Sequence, residues 1–131
     1  MIDVETEVLN AVYPYIEELI PEDNFSSVYV PAPSSFPFVT LMEVDNMTDT
    51  KHQSTALDEE YAVITYEANV YATDKLACRE VMDALDHGMI RINFTRLSMS
   101  TVPNLADRTV FRITAKYRAV ADQNKRLYRH K

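Results

Sequence analysis

The chain has 131 residues, a formal net charge of −7 and a single cysteine, so it is long enough to bury one core unaided, and Cys78 has no partner for an internal disulfide. A composition of 47% hydrophobic and 25% charged residues excludes wholesale disorder and fits one globular domain over residues 1–131. No apolar run approaches the roughly 20 residues of a membrane span, and the acidic opening MIDVETEV lacks the basic start of a signal peptide, so a protein with no membrane partner is expected.

In chain order, residues 2–20 have helical spacing, with Val4, Val8, Val12 and Leu19 near one stripe. Asp3, Glu5 and Glu7 stand where the positive end of a helix dipole favours acids. Pro14 interrupts the pattern and predicts a kink, or two abutting helices, at Tyr13-Pro14. Residues 25–30 read as a short strand, 31–37 as a proline-rich connection at a sheet edge or on the surface, and 38–44 as a second strand. Residues 46–58, NMTDTKHQSTALD, have no periodicity and predict a long flexible loop.

Residues 59–73 form the most regular alternation in the chain, with Ala62, Ile64, Tyr66, Ala68, Val70 and Ala72 on one face, and predict a central strand. Asp74 or Thr73 can cap a following helix with an apolar stripe of Cys78, Val81, Met82, Leu85 and Met89, while Asp86 and His87 fall towards solvent. Gly88 is expected to loosen or end that helix. Residues 92–102 predict a further strand. Residues 107–120 predict the next, with Phe111, Ile113, Ala115, Tyr117 and Ala119 on one face and Arg112, Thr114, Lys116, Arg118 and Val120 on the other. Residues 122–131 read as a turn followed by a short strand or a basic tail. The sum is an α+β domain: a mainly antiparallel sheet with two helices packed on one face.

Charge divides unevenly along the chain. Residues 1–90 carry 18 acidic groups against three basic ones, a net −15, and residues 91–131 carry two against ten, a net +8. Such a division either neutralises itself across one domain or draws copies of the chain together, basic surface to acidic surface. His52, His87 and His130 lack companions at metal-ligand spacing, Cys78 lies on an apolar stripe, and one glycine cannot build a phosphate-cradling loop. No catalytic, cofactor or metal site is therefore expected, and the protein is not expected to be an enzyme. The basic C-terminal third could meet nucleic acid, but the acidic total favours a protein partner or another copy, with no specific nucleic acid.

The runs AVITYEANVY, CREVMDALDHGM, INFTRLS, VPNLADRTVFRITAKYRAV and RLYRHK, in that order, resemble the small tail-completion or tail-terminator proteins of long-tailed bacteriophages and prophages of Gram-positive bacteria. The resemblance spans residue 25 to the C-terminus and is best over 61–120. It implies an α+β fold and a structural role. Copies, which can be monomers in isolation, would form a six-fold ring at the head-proximal end of the tail, assembled in the host cytoplasm. The ring would cap the major tail tube protein, end polymerisation and present a surface to the head connector or neck protein. Candidate assembly residues are Arg112, Lys116 and Arg118, with Glu67, Asp58 and Glu59 as acidic partners, and the segment from Thr48 through Lys51 to Thr55 is expected to order in the ring. The opposing possibility is that Glu67 pairs with one of these cations inside its own sheet. A head-completion or neck protein, or a nucleic-acid-binding accessory protein, are the alternative functions.

Overall fold

The computed structural model describes residues 1–48, 61–103 and 109–130. Along the chain lie helix α1 (Glu5–Ile16), strands β1 (Phe25–Ser26), β2 (Phe38–Thr48) and β3 (Tyr61–Ala72), helix α2 (Lys75–Arg91), and strands β4 (Thr95–Val102), β5 (Phe111–Asp122) and β6 (Leu127–Arg129). The strands make one sheet in the order β1-β2-β3-β5-β4, with β6 beside β5 beyond the end of β4. Among the described residues only the short β1–β2 pairing is parallel. Because β5 lies between β3 and β4, α2 carries the chain across the sheet to its far edge. This is the α+β arrangement that the sequence predicts.

The core is built from matching periodicities. Val8, Val12 and Ile16 of α1 and Cys78, Val81, Met82, Leu85 and Met89 of α2 recur at helical spacing and are buried. They meet Ile64, Tyr66, Ala68 and Val70 of β3 and Ile113, Ala115, Tyr117 and Ala119 of β5, which recur at the strand period of two. Ala68 faces Ala115 and Ala62 faces Ala121 across the two strands, while Tyr66 faces Tyr117. Phe111, expected on this face, sits at the strand's end and is 38% exposed.

Several expected boundaries shift for local reasons. Helix α1 runs through Pro14 as one element and ends at Ile16, short of the expected residue 20. The amide that Pro14 lacks would have bonded to Asn10, and both residues are exposed on the outer side, where water can satisfy the freed carbonyl. The strand expected over 25–30 stops at Ser26, whose hydroxyl oxygen accepts from the Val28 amide at 3.1 Å and turns the chain away. Strand β2 extends to Thr48 past a bulge at Val44, so Asn46, Met47 and Thr48 belong to the sheet, not to a loop. Residues 49–58 of the expected loop lie outside the described residues.

Gly88 neither ends nor loosens α2. The helix continues to Arg91, and a Cβ at Gly88 would stand 3.0 Å from Cδ2 of Tyr15, so the missing side chain admits α1. The stop comes at Asn93, in the left-handed region at φ 77°. The Phe94 amide donates to the Met89 carbonyl at 3.0 Å and the Asn93 amide to Ile90 at 3.1 Å, the two bonds of a Schellman motif, with Phe94 and Met89 both buried beside it. That stop consumes residues 92–94, so β4 begins at Thr95 and not at residue 92. Arg129 of β6 adds a cap, donating to the carbonyls of Ile90 at 2.9 Å and Phe94 at 3.2 Å. At the other end Asp74 accepts from the Ala77 amide at 3.3 Å.

Asp86, expected in solvent, ties α2 to the sheet. One carboxylate oxygen accepts from the Tyr117 hydroxyl at 2.7 Å and the other lies 3.2 Å from Nη1 of Arg96 on β4. Burial, then the bond to Asp86, pushes the Tyr117 hydroxyl far above its ordinary range, so it stays a donor. Removing Asp86 would leave that buried hydroxyl orphaned, which costs about 1–3 kcal/mol. We therefore predict that Asp86→Ala is clearly destabilising in urea unfolding, but much less so in a Tyr117→Phe background, where no hydroxyl remains to orphan.

Candidate assembly surface

The sheet face turned away from the helices carries the basic side of β5. Register places its residues in rows across the sheet: Tyr71 faces Arg112, Asn69 faces Thr114, Glu67 faces Lys116, Thr65 faces Arg118 and Val63 faces Val120. Strand β2 extends these rows with Met42 beside Glu67 and Met47 beside Val63, and β4 and β6 extend them with Ser98 beside Lys116 and Tyr128 beside Val120.

The cations of this face are not equivalent. Arg112 lies with its guanidinium carbon 5.6 Å from the centre of the Tyr71 ring and donates from Nε to Asn69 Oδ1 at 3.0 Å. Arg118 donates from Nε to Thr65 Oγ1 at 3.1 Å. Asn69, Tyr71 and Thr65 are buried, so the two arginine stems roof polar groups of β3. Lys116 is exposed and stands directly across from Glu67, whose carboxylate accepts from the Thr114 hydroxyl at 3.3 Å. Glu67 is thus bonded within its own sheet through Thr114 and faces Lys116 across the strands.

Arg112, Lys116, Arg118 and Glu67 are therefore gathered on one face, and Thr48 closes β2 at the sheet's end. Lys51, Thr55, Asp58 and Glu59 lie outside the described residues. Among the described residues no group of three or more His, Cys, Asp or Glu side chains is placed to hold a metal ion. Cys78 donates from Sγ to the Val70 carbonyl at 3.3 Å, and burial pushes its thiol up to about 11, away from nucleophilic character.

The far end of the face is set by the β5–β6 hairpin. The turn places Lys125 in the left-handed region at φ 64° and is closed by Asp122, whose carboxylate accepts from the amides of Asn124 at 2.9 Å and Arg126 at 3.0 Å and from the Tyr128 hydroxyl at 2.9 Å. Slight burial alone would raise the Asp122 carboxyl, but these donors outweigh it and hold it below its ordinary value of 3.8. Tyr128 is fixed beside Val120, with Tyr61 and Arg129 completing the walls of an open hollow of about 340 Å³. Sequence reasoning missed this hollow because it depends on which residues of β3, β5 and β6 share a row.

No family model and no curated protein matches the chain in sequence. The fold is shared with a chain in a solved structure of the virion of a native gene transfer agent particle, at a TM-score of 0.59 over 86% of this chain and 87% of that one, with 13% sequence identity.

Two outcomes follow from this geometry. Lys116→Glu sets two carboxylates face to face and should cost about 0.2–1 kcal/mol. The exchange Glu67→Lys with Lys116→Glu should recover most of that loss in urea unfolding. Because the Asp122 carboxyl titrates lower in the folded chain, its contribution to stability is complete above its ordinary value of 3.8 and disappears as pH falls through the lowered value. Unfolding midpoints of Asp122→Asn should accordingly lie below those of the parent chain at neutral pH and converge with them under strong acid.

Proposed function

We propose that the protein is a structural component of a phage-like particle, acting by assembly and not by catalysis, and that it is a tail terminator. In this role copies form a ring, six-fold as the family resemblance implies, on the last layer of the tail tube. The ring ends tube polymerisation and gives the head connector its landing surface, which places the protein at the head-proximal end of the tail. The observation that carries the structural role is the likeness of fold, over nearly the full length of both chains, to a chain in a gene transfer agent virion. The terminator role itself rests on the ordered sequence resemblance over residues 25 to the C-terminus.

The surface chemistry is consistent with this reading. The open sheet face presents a fixed array of mixed charge, with Lys116 and Glu67 at its centre and Met47, Val63, Val120 and Tyr128 along one row. Such an array suits a specific protein contact, where charge placement sets orientation and apolar groups supply contact area.

The test is to add the purified, gold-labelled protein to polymerising tail tube protein and examine the products by electron microscopy. A terminator labels one end of each tube and shortens the mean tube length as its concentration rises. Unlabelled tubes of unchanged length, with label instead on the vertex of isolated heads, would replace this reading with the neck-protein one.

A further inference from the structure

Among the described residues both edges of the sheet are open along most of their length. On one side β1 pairs only with Val39 and Thr40, so β2 has no outer strand neighbour from Leu41 to Met47 among the described residues. On the other, all eight residues of β4 pair inward to β5 or bulge, and none has an outer neighbour among the described residues. Unpaired edges are templates for strand addition, and proteins normally blunt them with charge, proline, bulges or shortness. Strand β4 has a bulge at Leu97 and one charge, Arg96, at its start. The remainder, LSMSTV, is uncharged and free of proline, and Leu97 and Met99 are 45% and 39% exposed.

The two edges differ in charge. Glu43 and Asp45 are exposed on β2 beside its bulge. The N-terminal stretch is held against this strand by the bond from Asn46 Nδ2 to the Ile2 carbonyl at 2.8 Å, which brings Asp3 and Glu5 close. Burial, then the charges of Asp3, Glu5 and Asp45, raise the Glu43 carboxyl despite its bond from Asn46, which marks an acidic cluster short of cations. At the other edge stand Arg91, exposed at the end of α2, and Arg96 of β4, exposed but already paired with Asp86 at 3.2 Å. Glu43 and Arg96 terminate one cross-sheet row, Glu43–Tyr66–Tyr117–Arg96.

We infer that the β4 edge of one copy pairs with the β2 edge of the next copy, extending the sheet from subunit to subunit. The acidic β2 edge repels its own copy and draws Arg91 beside the β4 edge, so the contact is head-to-tail, the kind that closes into rings or grows into filaments. Strand directions alternate along β2, β3, β5 and β4, so β4 meets the neighbour's β2 as an antiparallel ladder and the alternation continues unbroken. Leu97 of β4 and Val44 of β2, the two bulge residues, are exposed apolar groups along these edges in the single chain. The occupant of each edge is therefore a second copy of this chain. This inference rests on the ring reading above and gives that ring its interface.

Cross-linking distinguishes the arrangement, because Cys78 is buried and engineered thiols will be the reactive ones. Asp45→Cys and Leu97→Cys are prepared singly and treated with a short bis-maleimide at high protein concentration. The expected result is a cross-linked dimer from an equal mixture of the two, little from either alone, and a ladder of dimer, trimer and higher species from the chain carrying both substitutions. Loss of the mixed dimer, or dimers formed equally well by each single variant alone, would overturn it. The functional reading fails separately: a protein that cross-links as expected but neither labels nor shortens tail tubes keeps its edge pairing and loses its role as terminator. A protein that caps tubes without the mixed dimer keeps the role and loses this interface.

Discussion

The uninterrupted antiparallel pairing of β3 with β5 is the constraint on which the rest of the molecule depends. Twelve residues of each strand are matched without a bulge, from Tyr61 opposite Asp122 to Ala72 opposite Phe111. Because strand side chains alternate, this one register fixes both faces at once. It sets Tyr66 against Tyr117 beneath the helices, and Glu67 against Lys116 on the opposite face. A slip of one residue would exchange the core side chains of β5, Ile113, Ala115, Tyr117 and Ala119, for Arg112, Thr114, Lys116 and Arg118. The irregularities of the sheet, at Val44 and Leu97, occur in the outer strands β2 and β4 and leave the central pair intact.

Much of the remaining structure anchors other elements to that pair. Asp86 fastens α2 to β5 and β4 through two different donors, and the Schellman stop at Asn93 releases the chain so that β4 can lie along β5. Arg129 returns from β6 to hold the same helix end. The cations of the open face divide their work. Arg112 and Arg118 secure buried polar groups of β3, whereas Lys116 is available to meet another surface. The function proposed here needs both properties, a rigid sheet and a patterned exterior.

The periodic elements were legible in the sequence because their burial is one-sided. The stripe of α2, the alternation of β3 and the apolar face of β5 follow from spacing alone. What could not be read depended on contacts distant in sequence or on single backbone angles. Gly88 looked like a helix end because nothing local shows that Tyr15, 73 positions earlier, packs against it. Asn93 ends the helix through one left-handed residue, which asparagine tolerates but does not announce. The bulge at Val44 converts three residues assigned to a loop into strand. On the candidate surface, Arg112, Lys116 and Arg118 were correctly placed on one face, but their different partners emerge only once β3 is in register.

A domain with a stiff central pair and a mixed-charge face is suited to repeat itself in a particle, and its fold is one found in a virion. The length distribution of tails in particles made without this protein bears most directly on its role. The account predicts tails that exceed the normal length, vary widely and lack heads. Tails of normal, uniform length in its absence would contradict it.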